Sequence, residues 1–375
     1  MERKRLAPQE KILLLVAVVM ILLTASLLLQ IEGVFGQNAY PQVTSEPAIE
    51  PEQNPIPIPQ PILNPLTNVS VRTEQQLQRR LLLVSLDNVF NARPHYGIFF
   101  ADLVYEMPVE GGASRLVAVF YTGEQEIIGP VRSARLYMVD IAREWQGVFV
   151  HCGGSQEALN VLARGYVNWL NEIPQGAFFW RDRTRRAPYN VMTSSELIYQ
   201  FIELRNWDAY QSPRAFKFYN EGEWSPRRYA RADIVRVHYR QAHNNYIFNR
   251  STGLYARYIG ETPFIDASNG AQLHVANIIV QNVNARVIDG EGRLRIDLVG
   301  EGTAMLFTGG TVQYGTWQRA DLDSPTIFLN ENGEEWRLNS GQTWIQIVDS
   351  RTTVSYEDSL AVTSAVFENE DEEFL

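Results

Sequence analysis

The sequence predicts an α+β protein: an α/β layer domain, then a β-rich domain, both behind an amino-terminal transmembrane helix. Three observations carry this. Residues 77–206 alternate short apolar runs of strand length with segments of helical periodicity. After Asn206 the helical periodicity stops, and short β-prone runs follow one another between turn signals. Near the amino terminus, Ile12 to Leu29 is apolar and free of charge.

That first run is 18 residues long, near the lower limit for a membrane span. Arg3, Lys4, Arg5 and Lys11 precede it, so residues 1–11 form a basic cytoplasmic stub and the rest of the chain lies outside the membrane. The expected location is therefore the cell membrane, single-pass, with extracytoplasmic domains. A cleaved signal peptide is the rival; Gln30-Ile31-Glu32-Gly33 is a poor cleavage site and favours an uncleaved anchor over 12–29. No cysteine closes the run, which excludes a lipid-modified amino terminus. Residues 30–70 hold Pro41, Pro47, Pro51, Pro55, Pro57, Pro59, Pro61 and Pro65, the composition of a stiff polyproline II spacer.

In the α/β domain, 77–206, strands are expected at Leu81–Leu86, Leu103–Met107, Leu116–Tyr121 and Gly147–His151. Helices are expected at Val131–Glu144, Gln156–Arg164 and Ser194–Leu204, with Ser155 and Thr193 or Ser194 as caps. The β-rich domain, 212–350, offers ten further runs, among them Ile234–Tyr239, Leu254–Ile259 and Thr343–Val348. Asp289-Gly290, Gly309-Gly310, Asn332-Gly333 and Ser340-Gly341 mark turns between them. Residues 351–375 read as a solvated acidic tail.

Composition narrows the partners. The net charge of −10 argues against nucleic acid. A single cysteine, Cys152, excludes an intramolecular disulfide framework and a cysteine-rich metal site, and the five histidines lack ligand spacing, so no metal or cofactor is expected. Lysine is confined to Lys4, Lys11 and Lys217, which reads first as codon bias.

The candidate site gathers charged residues at the ends of the first strands: Asp87, Arg93, Asp102, Glu106, Glu110, Arg115, Arg132, Ser133, Arg135 and His151. Gly129-Pro130-Val131-Arg132-Ser133-Ala134-Arg135 reads as a helix entry, with Pro130 at the start and the two arginines on one face. Two guanidiniums, a hydroxyl and a helix amino end suit an anion. Equally, both arginines could pair with internal carboxylates. Glu106 and Glu110 could face one another for acid–base work. His151 could orient a ligand, although a satisfied strand-end histidine is the plainer reading. No G-x-S-x-G elbow supports a serine triad. The charge-dense run Trp180 to Arg186 is a solvated loop or a further wall of the same pocket.

Several stretches resemble the YerB-like family of bacterial envelope lipoproteins, a family of unknown function. They include Ala101-Asp102-Leu103-Val104-Tyr105-Glu106, Ile128 to Arg135, Val150-His151 with Gly153-Gly154-Ser155, Arg185 to Pro188 with Asn190, Arg286 to Asp289, Gly315-Thr316-Trp317 and Gly341 to Trp344. The resemblance runs from about residue 66 to 349 and implies a two-domain extracytoplasmic protein without an established activity. Two positions depart from the family: Tyr189 stands where a histidine is expected, and Cys152 where an alanine is expected, which argues for a packing role there. A weaker, fold-level echo of the LytR–CpsA–Psr phosphotransferases lies in the layout of Asp87, Arg93, Asp102, Arg115, Arg132 and Arg135.

Together these readings describe a membrane-tethered protein binding an anionic or carbohydrate cell-envelope ligand. The rivals are an envelope enzyme acting on glycans or lipid-linked phosphates, and a non-catalytic structural or partner-binding module.

Overall fold

The computed structural model describes residues 61–209 and 212–359. The basic stub, the expected anchor at 12–29, most of the proline-rich spacer and the end of the acidic tail lie outside them. Among the described residues no helix is long and apolar enough to cross a membrane.

The described chain is mostly sheet with few helices. Its longer elements are β1 (Leu82–Asp87), β2 (Leu103–Pro108), β3 (Ser114–Phe120), α1 (Leu136–Trp145), β4 (Val148–His151), α2 (Gln156–Leu162), β5 (Asn168–Asn171) and α3 (Ser195–Leu204). Then come β6 (Ile234–Tyr239), β7 (Ala242–Asn249), β8 (Leu254–Ile259), β9 (Asn277–Asn282), β10 (Gly300–Thr308), β11 (Thr311–Arg319), β12 (Ile327–Asn330), β13 (Thr343–Val348) and β14 (Thr353–Glu357).

One long sheet runs through both halves of the sequence, in the order β12-β11-β10-β9-β13-β2-β3-β1-β4-β5. The seam is β13, which lies parallel to β2, from Leu103 opposite Thr343 to Glu106 opposite Gln346, and parallel to β9 on its other side. β1 is parallel to β4, and β4 to β5. β3 is antiparallel to both β1 and β2. The carboxyl ends of β1, β2, β4, β5, β9 and β13 therefore share one edge of the sheet.

Every residue of β1, β2, β3, β4 and β13 is buried, because both faces of the sheet are covered. That is why these strands read as continuous apolar runs. Leu83, Leu103, Val117, Val119, Phe149 and Ile345 face α1 and α2. Leu82, Val84, Leu86, Val104, Ala118 and Trp344 face the other way, toward α3 and a second sheet. The second sheet carries β8-β7-β6-β14, with two-residue strands at Thr262–Pro263 and His274–Val275 along β8. In β6 only Val235, Val237 and Tyr239 are buried, the alternation expected of a sheet packed on one side.

Ser155 caps α2 by accepting from Ala158 N, and Ser194 caps α3 by accepting from Leu197 N. The first expected helix starts later than its periodicity suggested, at Leu136 rather than Val131. The amides of Val131, Arg132 and Ala134 are already engaged by the carbonyls of Val191, Ser85 and Gly153, at 2.7, 2.7 and 2.9 Å. That segment is extended, and Arg135 is the non-helical cap residue. β5 went unread in the sequence. β14, read as part of the acidic tail, is an edge strand paired with β6.

A cationic rim at the carboxyl edge of the sheet

Nine of the ten candidate residues gather at the edge where the parallel strands end. Asp87 is the last residue of β1 and sits opposite Arg115 in β3. Glu106 lies near the end of β2, with Glu110 just beyond it. Arg132, Ser133 and Arg135 ride on the extended segment that crosses this edge, bridged at Leu86–Val131 and Ala134–Gly154. His151 ends β4, and Arg93 follows β1. In open α/β sheets this edge is where ligands enter. Asp102 is the exception. It precedes β2 at the opposite end, accepts from Asn64 Nδ2 and Tyr121 N at 2.6 Å each, and clasps the 61–72 segment to the sheet. Burial pushes its carboxyl up.

The expected shared helix face of Arg132 and Arg135 is absent, because both precede α1 on extended chain. They take different partners. Arg132 Nε lies 2.8 Å from Asp87 Oδ2, and its guanidinium stands 6.0 Å from the Tyr189 ring centre. Arg135 grips Glu110 bidentately, at 2.5 and 3.0 Å. Burial alone would raise the Glu110 carboxyl, but the Arg135 bonds outweigh it and hold it low. Arg115 donates Nη1–H to Ser133 O at 3.0 Å, while its buried Nε has no hydrogen-bond partner. Arg93 donates Nε–H and Nη2–H to Asn88 O.

Glu106 and Glu110 do not form the facing carboxylate pair that their spacing allowed. Glu106 points toward the second sheet and is fully buried. Its Oε1 accepts from Asn88 Nδ2 and Ser114 Oγ at 2.9 and 2.7 Å; its Oε2 accepts from Arg257 Nη2 and Gln346 Nε2 at 2.6 and 3.2 Å. Arg257, in β8, is also fully buried, its guanidinium 4.1 Å from the Phe264 ring centre and 4.2 Å from that of Trp344. Sequence reasoning passed over Arg257. The available signal was an arginine in mid-strand, in Leu254-Tyr255-Ala256-Arg257-Tyr258-Ile259.

His151 is a packed strand-end residue. Its Nδ1–H donates to Gly153 O at 2.7 Å, its ring stacks on Phe149, and its Nε2 is buried without a partner. Burial pushes it down to about 4, so it is neutral at pH 7. The thiol of Cys152 meets Glu172 Oε2 at 3.3 Å; burial, then that carboxylate, pushes it up to about 11. The loop after Trp180 folds back onto this edge, where Arg185 donates to Ala92 O and Pro94 O at 3.0 and 2.6 Å.

Positive charge is in surplus here. Arg93, Arg115, Arg132, Arg135 and Arg257 meet three carboxylates, Asp87, Glu106 and Glu110. Burial, then Arg257, pushes the Arg93 guanidinium down to about 10; burial, then Arg135, does the same to Arg115. Among the described residues no cluster of three or more His, Cys, Asp or Glu side chains is placed to hold a metal.

This architecture defines a two-domain, sheet-dominated protein with an arginine-rich rim. Residues 66–208 match the amino-terminal domain, and 235–345 the carboxyl-terminal domain, of the family described as protein of unknown function (DUF3048). The chain is 31% identical over 287 residues to "Putative lipoprotein YerB" of Bacillus subtilis (strain 168), covering 74% of this chain and 84% of that one. The crystal structure of the YerB protein from Bacillus subtilis matches with a TM-score of 0.71 at 28% identity, over 78% of this chain and 99% of that chain. The protein belongs to this YerB-like DUF3048 family.

Proposed function

We propose that this protein is tethered at the outer face of the cell membrane and binds an anionic cell-envelope ligand on the arginine rim. The observation that carries the reading is the convergence of five guanidiniums with three carboxylates at the edge of a mixed sheet where its parallel strands β1, β2, β4, β5, β9 and β13 end. The Bacillus relative is named as a lipoprotein. In this chain the run Ile12–Leu29 takes the place of a lipid anchor.

A second reading has support from the pairing itself. Arg132 with Asp87, Arg135 with Glu110, and Arg257 with Glu106 are what an ion-paired structural module requires. One experiment separates the two. Inorganic pyrophosphate is titrated into the full-length chain by calorimetry, beside Arg132→Ala and Arg93→Ala variants. The binding reading expects heat of binding in the wild type and its loss in both variants, with melting unchanged in Arg93→Ala, which breaks no ion pair among the described residues. No binding to the wild type, together with a large drop in the melting midpoint of Arg132→Ala, makes the rim structural.

A further inference from the structure

At the other end of α1 lies a cavity of about 160 Å³, walled by Tyr105, Glu144, Trp145, Arg214, Phe216 and Phe328. The ten-residue helix α1 separates it from the arginine rim by about 15 Å, at 1.5 Å per residue. Water's share of liquid volume is about 30 Å³, so the space corresponds to about five waters, or one small ring.

Two polar groups in its wall have capacity to spare. The Tyr105 hydroxyl, on the α1 face of β2, accepts Trp145 Nε1–H at 2.9 Å, and its own proton has no acceptor among the described residues. Glu144 Oε1 accepts from Thr326 N at 2.7 Å. Its Oε2 has the Arg319 Nη1 atom at 3.3 Å, an approach that makes no hydrogen bond. The Glu144 side chain is 5% exposed, and burial pushes its carboxyl up, so a hydroxyl donor would relieve a desolvated group.

The charges of the wall are already matched. Glu144 faces Arg319, Arg214 bonds Glu335, and Asp323 bonds Arg143. A charged guest would leave a charge unpaired in a half-enclosed space. Three aromatic rings contribute to the rest of the wall, beside Ser212, Ala215 and Thr326. Trp145 and Phe216 meet edge to face with centres 6.1 Å apart, and Phe328 closes the side.

We propose that this cavity binds a neutral, hydroxylated ring, a single sugar residue, held between aromatic side chains with one hydroxyl accepting from Tyr105 and another donating to Glu144. The site stands apart from the arginine rim and takes a different chemistry, so its fate does not depend on anion binding.

The test uses the full-length chain with methyl β-glucopyranoside and methyl N-acetyl-β-glucosaminide, followed by saturation-transfer NMR and tryptophan fluorescence. Expected are transfer from aromatic resonances to the sugar ring protons, and a titration that saturating pyrophosphate leaves unchanged. Tyr105→Phe, which removes one oxygen, should weaken binding about 5-fold, the value of one neutral hydrogen bond. Phe216→Ala, in a loop, should weaken it further. The proposal is overturned if neither sugar shows transfer, if both variants titrate like the wild type, or if phenol binds where the sugars do not.

Discussion

Arg257 Nη2 meets Glu106 Oε2 at 2.6 Å, and neither side chain has any exposed surface. This pair joins the second sheet to the long sheet, and with it the two family domains. A buried pair is weak evidence of net stabilisation, but breaking it strands a charge. Arg257→Met should therefore cost about 3–5 kcal/mol. Adding Glu106→Gln should return part of the loss, since the carboxylate no longer lacks a counterion. Urea unfolding of the two single variants and the double variant gives the coupling. Additive losses would show that the pair does not act as a unit.

Acid sensitivity follows from two histidines. Burial holds His95 down to about 3 and His151 down to about 4, against an ordinary value of about 6.5. The unfolded chain takes up protons below pH 6.5 where the folded chain does not. Stability is thus intact above pH 6.5 and declines as pH falls toward 4. At pH 5 each ring should cost about 2 kcal/mol relative to pH 7. His151→Phe, which keeps the ring against Phe149, should lower the baseline but flatten the slope between pH 7 and 5. Urea midpoints at the two pH values measure this; an unchanged slope would show that His151 takes a proton while folded.

The hairpin between β10 and β11 is a local test. Gly309 and Gly310 have φ of 55° and 76°, so the expected Gly-Gly turn needs two residues free of a Cβ penalty. A Cβ on Gly310 would come within 2.6 Å of the Phe248 ring. Gly310→Ala should cost about 1–3 kcal/mol through backbone strain and that contact. A thermal melt matching the wild type would mean that the turn relaxes freely.

How much of this was legible depended on whether the signal was local. Ser155 as a helix cap, a second cap at Thr193 or Ser194, and Thr343–Val348 as a strand follow from a few adjacent residues. The start of α1 did not, because amides of Val131 and Arg132 are taken by Val191 and Ser85, which no local pattern reports. Nine candidate residues share the carboxyl edge because charged residues collect where buried strands stop. Which carboxylate each arginine grips was invisible. Arg257 is 151 residues from Glu106, and only the packing of the two sheets brings them together. Asp102 was grouped with the rest by sequence proximity, yet it lies at the far end of β2.

Orientation across the membrane is testable independently of the fold. The proposed orientation, with residues beyond the run outside, rests on the basic flank Arg3 to Lys11 before Ile12–Leu29. Protease added to cells with an accessible outer face should degrade the folded part of the chain. Protection until the membrane is breached would reverse the orientation, and a shortened soluble product would show that the run is cleaved.

The continuity of the long sheet makes the strongest demand. β13 is drawn from the end of the sequence, yet it inserts between β9 and β2 and pairs in parallel with both. Residues 61–209 alone would keep β2 but lose its β13 neighbour, exposing the backbone edge from Leu103 to Glu106 in an apolar strand. They would also lose Arg257 and Gln346, leaving Glu106 without two of its four donors. The fragment should therefore aggregate or bind hydrophobic dyes, although a family domain boundary falls at residue 208. Co-expression with residues 212–359 should restore a soluble complex. A fragment 61–209 that is monomeric and melts cooperatively would show that the amino-terminal domain folds by itself and that β13 only docks onto a finished edge.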